Sequence, residues 1–180
     1  MEHTLFIGIG VVILLLFSGS ISVIHLRTLR DDINKRWYNL ADKLQYRQDL
    51  IPNLIETIRL HSNTSDQRQE DKSIIQKTIA IRHKAGVTSK PGSNKMIIEH
   101  DLSKHIKKLL DISLHNKPLG RNTNFLELKK QLKDIEYTIE EMAQEYNAKV
   151  RNHNRTKKKF YNAIPAFIMR YSTKKIFEFE

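Results

Sequence analysis

The sequence contains no cysteine. That absence removes disulfide stapling, lipoprotein acylation, thiolate zinc sites and cysteine nucleophiles together. Glycine is scarce, with 6 residues in 180, and proline scarcer still, with 4; no glycine-rich phosphate loop is among them. Strand signals are missing too, because nowhere does a sustained apolar-polar alternation meet hairpin dipeptides. Acids are in deficit, 20 Asp+Glu against 31 Lys+Arg, leaving a formal net charge of +11. Such an excess implies attraction to anionic surfaces such as phospholipid or nucleic acid. The length suits one domain with an appendage.

One long apolar run is present. Residues 4–26, TLFIGIGVVILLLFSGSISVIHL, carry no Asp, Glu, Lys or Arg, and the one ionisable side chain, His25, lies at the far end. At about 1.5 Å per residue, a helix of this length spans the ~30 Å hydrocarbon core of a bilayer. A cleaved signal peptide wants a basic start and a shorter apolar stretch, whereas the chain begins Met1-Glu2-His3; Ser18-Gly19-Ser20 leaves a cleavage option open. Arg27, Arg30, Lys35 and Arg36 follow the run. The positive-inside rule then predicts an N-terminus outside and the remainder in the cytoplasm.

Beyond the run, apolar residues recur at alternating steps of four and three: Ile33, Trp37, Leu40, Leu44, then Ile51, Leu54 and Ile58. The pattern predicts a long amphipathic helix with a heptad-like seam, and the member that breaks the apolar series is Arg47. A second helix is expected from about Ser65 to Ala85, stopping at Gly86, and turn chemistry follows in TSKPGSN. Ile98, Leu102, Ile106, Leu109 and Ile112 mark a third helix, which HNKPLGRNT, 115–123, ends. Asn124 and Glu127 sit at capping-box spacing before a fourth, whose stripe is Phe125, Leu128, Leu132, Ile135, Ile139, Met142 and Tyr146. The expected fold is therefore all-α: a transmembrane helix over 1–27, an antiparallel up-down-up-down four-helix bundle over 28–162, and a basic, aromatic tail over 163–180.

Pro52 lies inside the first helix of this bundle. It cannot donate to the Gln48 carbonyl, and its ring crowds that carbonyl, so an uninterrupted straight helix costs about 3 kcal/mol. A kink is the preferred expectation over an end and restart capped by Asp49. Arg47, on the seam, needs an acid or free carbonyls; the candidates are the carbonyls freed by Pro52 or Glu136, Glu140 or Glu141 of the fourth helix. Arg47, Asp49, Pro52 and Asn53 form the candidate site, a groove or buried polar cluster stabilised by Asn147. Leu50, Leu54, Ile58, Leu132, Ile135 and Ile139 are expected in the core.

The C-terminal end is basic without interruption. Arg151, Arg155, Lys157, Lys158, Lys159, Arg170, Lys174 and Lys175 are interleaved with Phe160, Tyr161, Ile164, Phe167, Ile168, Tyr171, Ile176 and Phe177. These cations are the candidate contacts to anionic lipid.

Two separated stretches resemble one family. YRQDLIPNLIETI is similar to the signature of the LemA family, a basic residue followed by Asp-Leu-Ile-Pro-Asn-Leu and a Glu-Thr pair. NTNFLELKKQLKDIEYTI resembles that family's Asn-x-Asn-Phe-x-x-Leu helix start, and Tyr146-Asn147 and His153-Asn154 stand where its two Tyr-Asn pairs fall. The sequence departs from the family pattern at His153, in place of tyrosine, and at Met142, in place of arginine. The resemblance implies a single N-terminal span, a cytoplasmic bundle of four helices and no assigned chemistry.

The residues themselves point to no catalysis. No histidine pairs at i, i+4 with a helical Glu between; His100 and His105 are five apart, and His105, on the inner edge of the third helix, reads as a hydrogen-bonded boundary residue. Glu-x-x-His, the di-iron signature of helical bundles, does not occur. The expectation is a non-enzymatic scaffold or adaptor without metal or cofactor, meeting anionic lipid and a protein partner. Self-association through the seams is one alternative. A membrane-tethered nucleic-acid-binding module is a second, disfavoured because no helix-turn-helix or RNA-module signature appears.

Overall fold

A computed structural model describes residues 2–61, 69–88, 91–112 and 116–177, the side chains at 2–5, 11–18, 93, 160, 161 and 165 excepted. The regular structure among the described residues is entirely helical: α1 (Glu2–His61), α2 (Gln69–Val87), α3 (Ser93–Ile112), α4 (Lys117–Gly120), α5 (Thr123–Lys157) and α6 (Phe160–Ile168). The chain forms two compact units, one of Met1–Arg36 with Glu145–Ile176, the other of Trp37–Gln144 with Phe177–Glu180. The expected boundaries after residues 27 and 162 fall inside α1 and α6.

In the second unit the seam of α1 is buried along its length. Trp37, Leu40, Leu44, Ile51, Leu54 and Ile58 are at most 3 % exposed, and Arg47 takes its turn among them at 0 %. Each fully buried aliphatic side chain contributes about 1.5–3 kcal/mol, so the spacing that predicts the helix also supplies most of its stability. The residues expected in the core, Leu50, Leu54, Ile58, Leu132, Ile135 and Ile139, are all buried. Trp37 packs against Phe177, ring centroids 6.3 Å apart.

Hydrogen bonds fix the helix directions in this unit. Arg47 meets Glu136, and Thr57 meets Asn124, so α1 and α5 run antiparallel. Gln48 meets Arg82 near the end of α2, which therefore returns against α1. Arg47 meets Glu99 early in α3, while His61 meets Asn116 just beyond α3, so α3 runs with α1. These four helices make a helical bundle of alternating direction.

The connector before α5 is built on asparagines. Asn116 caps the single turn of α4, accepting from the Leu119 amide, and its side-chain nitrogen donates to the last carbonyl of α1, at His61. The cap of α5 is Asn122, whose Oδ1 accepts from the Phe125 amide at 2.8 Å. This corrects the expected capping box: Asn124 lies within the helix, and its side chain reaches Thr57 instead. Asn122 also donates to His61 Nε2, which leaves the Nδ1 proton to bond the Thr57 carbonyl.

α1 continues as helix through Pro52, so the disfavoured restart capped by Asp49 does not occur. One further expectation is corrected. Met142 is half-buried, and the α5 seam runs from Ile139 through Ala143, Tyr146, Val150 and His153, which are buried.

In the first unit α1 and α5 are again antiparallel. Arg36 pairs with Asp32 on its own helix and with Glu145, and Lys149 bonds Asp32 at 2.8 Å. The Lys149 hydrogen bond holds the Asp32 carboxyl below its usual range, against the opposing effect of desolvation. Exposed pairs of this kind contribute at most about 1 kcal/mol each; they align the two helices more than they stabilise them. After α6 the chain turns back in a Schellman arrangement: Tyr171 N–H donates to Ala166 O, Arg170 N–H donates to Phe167 O, and Arg170 takes φ 51°. The turn brings Tyr171 onto Ala166 and Leu26, the apolar core of this unit.

Among the described residues no helix is long and apolar enough to cross a membrane. The middle of the expected span, residues 11–18, has side chains outside that description.

Candidate functional site

Arg47 lies at the centre of a buried ionic network in the second unit. Its Nη2 bonds Glu99 Oε2 at 2.6 Å, and its Nη1 bonds Glu136 Oε1 at 2.8 Å and Ser103 Oγ at 2.5 Å. The other oxygen of Glu99 accepts from Lys95 Nζ at 2.6 Å and from Gln48 Nε2 at 2.8 Å. Lys95 Nζ also donates to the Ala85 carbonyl near the end of α2, at 2.7 Å. Arg47 and Glu99 are fully buried; Lys95 is 5 % exposed, and only the Glu136 side chain, at 25 %, reaches the surface. Two cations thus meet two carboxylates in low dielectric, each with hydrogen bonds for most of its remaining capacity, the condition under which buried charge is tolerated. Arg47 Nε alone has no partner.

The geometry answers the question raised by Pro52. The helical carbonyl that Pro52 leaves without an N–H is that of Gln48, and Arg82 Nε donates to it at 2.7 Å. Of the two kinds of partner open to Arg47, the freed carbonyl goes to Arg82 from α2, and Arg47 takes the acid instead, Glu136 on α5, together with groups of α3. Arg82 lies within 4.0 Å of Asp49, which also accepts from Gln45. Asp49, Pro52 and Asn53 are exposed. A motif contiguous in sequence therefore divides in space, Arg47 inward and the other three outward, joined through Gln48 and Arg82.

A double-mutant cycle checks this division of labour. Arg82→Ala is expected to lower stability by about 1–3 kcal/mol, because a carbonyl loses a charged donor. In a Pro52→Ala background, where residue 52 supplies its own N–H, the same change is expected to cost at most about 0.5 kcal/mol. Equal costs in the two backgrounds, measured by urea unfolding, would refute the assignment.

Asn147 belongs to the first unit. Of the acids expected to meet Arg47, Glu136 does so, whereas Glu140 and Glu141 are exposed. Glu99, Lys95 and Arg82 carry the rest. A readable signal existed for them: Lys95 and Glu99 continue the α3 series through Leu102, Ile106 and Leu109 at steps of four and three, and Arg82 stands between Thr78 and Ala85 in the α2 series. A charge on a seam marks a buried partner as surely as Arg47 does. His105 bonds the Asp101 carbonyl one turn earlier, as a boundary histidine should. No group of metal-ligating side chains occurs among the described residues.

The C-terminal cations separate into two sets. Arg151, Arg155, Lys158, Lys159, Arg170 and Lys175 are exposed. Lys157 is instead drawn into the fold, donating to Tyr171 O and Thr173 Oγ1. Lys174 is half-buried, its backbone clasped by Asn154, which accepts from its N–H at 3.0 Å and donates to its carbonyl at 2.8 Å. Burial, reinforced by Arg30, lowers the Lys174 ammonium from its ordinary range.

The LemA family model matches residues 36–180. This chain belongs to the LemA family. The match covers the signature around Pro52, the buried network and the basic end of this LemA protein alike. No curated protein matches the chain.

His153, where the family pattern has tyrosine, gives this LemA protein a titrating group in its first unit. It is 1 % exposed and stands edge-on to Tyr171 at 6.4 Å. Burial, with Lys157, Lys174 and Arg30 nearby, pushes its imidazole below the ordinary 6.5, against a hydrogen bond to Asn154 that works the other way. The folded value is thus below the unfolded one, and the unfolded chain binds more protons in the window beneath pH 6.5. The stabilisation is complete above that pH and is lost as pH falls toward the folded value. Thermal melts are expected to drop as pH falls below 6.5, and His153→Phe is expected to flatten the drop; an unchanged slope in the variant would remove His153 as its cause.

Proposed function

We propose that the protein is a single-pass, membrane-anchored helical scaffold of a bacterial inner membrane, without enzymatic activity, its N-terminus outside and its bundle in the cytoplasm. One observation carries the reading: the first unit presents large apolar side chains on two helices and surrounds one of them with cations. Phe6, Ile7, Ile9, Ile21 and Ile24 of α1 are exposed, as are Ile164, Phe167 at 84 % and Ile168 of α6. Exposure of this kind is unfavourable in water and marks a surface meant to be covered. Lys158, Lys159 and Arg170 bracket α6, the composition of a helix lying at a lipid interface. α6 packs through Ala166 on Leu26, the last residue of the apolar run, at the depth where a bilayer would end.

In this reading the second unit, with its internally neutralised core, is the part offered to a protein partner, and its exposed Tyr38 and Tyr137 are candidate contacts. The test is photo-crosslinking from residue 137 of the full chain in native membranes washed at alkaline pH. Retention after the wash with capture of one discrete protein is the expected result. Release by the wash would overturn the anchor, and capture of the chain itself would replace the adaptor with a self-associating, membrane-organising protein.

A further inference from the structure

The tail, α1 and α5 line a small, partly open cavity, of ≈ 50 Å³, in the first unit, and its walls are unusual in charge. Arg30, Arg170 and Lys174 line it with His153, Tyr171 and Ser172. No carboxylate is among them, and no carboxylate among the described residues pairs with these three cations. Like charges gathered in a partly buried space repel, and desolvation adds to the cost; the lowered Lys174 ammonium shows both effects.

The fold nevertheless fixes the segments that carry these cations. The Arg30 guanidinium lies over the Tyr171 ring, 5.4 Å from its centroid, which fixes its position. Asn154 clasps the backbone of Lys174 from both sides. Arg170 is kept in the left-handed region by the Schellman turn, a conformation that disfavours a side chain. His153 forms part of the wall, buried, with an Nε2 that has no hydrogen-bond partner. Cations on fixed segments, a hydroxyl and a buried, unpartnered ring nitrogen around one space lack one component, a small oxyanion.

We propose that this cavity is a phosphoryl-binding site, with Arg30, Arg170 and Lys174 as its charged donors, Ser172 as a hydroxyl donor and His153 as a group that gains a proton when the site is filled. Guanidinium and ammonium donors at close range are the groups that recognise phosphate oxygens. A phosphate monoester or inorganic phosphate is the smallest ligand that offers several oxygens to these donors at once. Proton uptake follows because an adjacent anion favours the imidazolium. The site stands whether or not the chain is anchored, since every wall residue belongs to the first unit.

The experiment is calorimetric titration of the full chain in a phosphate-free sugar detergent, with inorganic phosphate in one arm and short-chain phosphatidic acid in the other. Saturable binding with proton uptake is expected, and Arg30→Gln and Lys174→Gln should each weaken it about tenfold, the loss of one charge-assisted contact. Arg170→Gly should also weaken it while leaving the melting temperature unchanged or higher, which separates loss of a donor from loss of the fold. Lys158→Gln, outside the cavity, should bind as the parent does. Binding in both arms identifies a site open to free and lipid-borne phosphoryl groups; binding in one identifies the source. Absence of saturation in both arms, or equal weakening by Lys158→Gln and Arg30→Gln, would overturn the proposal. Micelles keep this result separate from the fate of the membrane reading.

Discussion

Arg47→Met is expected to destabilise the second unit by about 3–5 kcal/mol, the largest effect of any single substitution in the bundle. The substituted side chain fills much of the same volume, so cavity formation is not the cause. Removing Arg47 leaves Lys95 as the one cation on the fully buried Glu99 and leaves Glu136 without a cation, one negative charge in excess. Ser103 and the Glu99 carbonyl lose their donor as well. Urea unfolding followed through Trp37, which lies in the same unit, reads the change. Glu99→Gln alone is expected to cost about 2–4 kcal/mol, and the double variant clearly less than the sum, since each change removes the reason for the other's penalty. A loss under about 1 kcal/mol for Arg47→Met would mean that the network is solvated and that the account of its burial is wrong.

Tyr171→Ala is expected to be the most damaging change in the first unit, at about 3–5 kcal/mol. The ring packs with Leu26 and Ala166, supports Arg30 and meets the edge of His153, while its carbonyl accepts from Lys157. Loss of the ring removes the anchor by which the segment after α6 returns to α5. Hydrogen exchange provides the measurement: amides at Tyr171 and Lys174, which donate to Ala166 and Asn154, should lose protection while those of α5 near Ile139 keep theirs. Protection retained at Lys174 would show that Asn154 alone holds the tail.

The helices were legible because their apolar positions repeat at a helical period, and Arg47 was legible as an interruption of that period. Its partner Glu136 could be named because it stands beside Ile135, at the edge of the α5 stripe. Glu99, Lys95 and Arg82 escaped because a charge on a helix looks like ordinary solvated surface until the seam of its own helix is extended through it. The capping residue of α5 was displaced by two because Asn122 and Asn124 both have the chemistry of a cap, and the choice between them depends on His61 and Thr57, distant in sequence. Folding back of the tail could not be read at all: Tyr171 and Lys157 look like an interfacial pair in sequence, and only the Schellman turn at Arg170 directs them inward.

An apolar seam with steps of four and three is nearly identical to itself seven residues on. Slide α1 by one heptad, and Leu44 replaces Ile51, Ile51 replaces Ile58, and the greasy contacts hardly notice. Arg47 does notice: the slip carries it about 10 Å along the axis, into apolar surroundings and away from both carboxylates. Replacing the whole ionic cluster by matched apolar residues is expected to yield a bundle at least as stable as the parent. What such a bundle would lose is its unique alignment, for the four charges act as a detent that lets an otherwise repetitive helix stop at one position only.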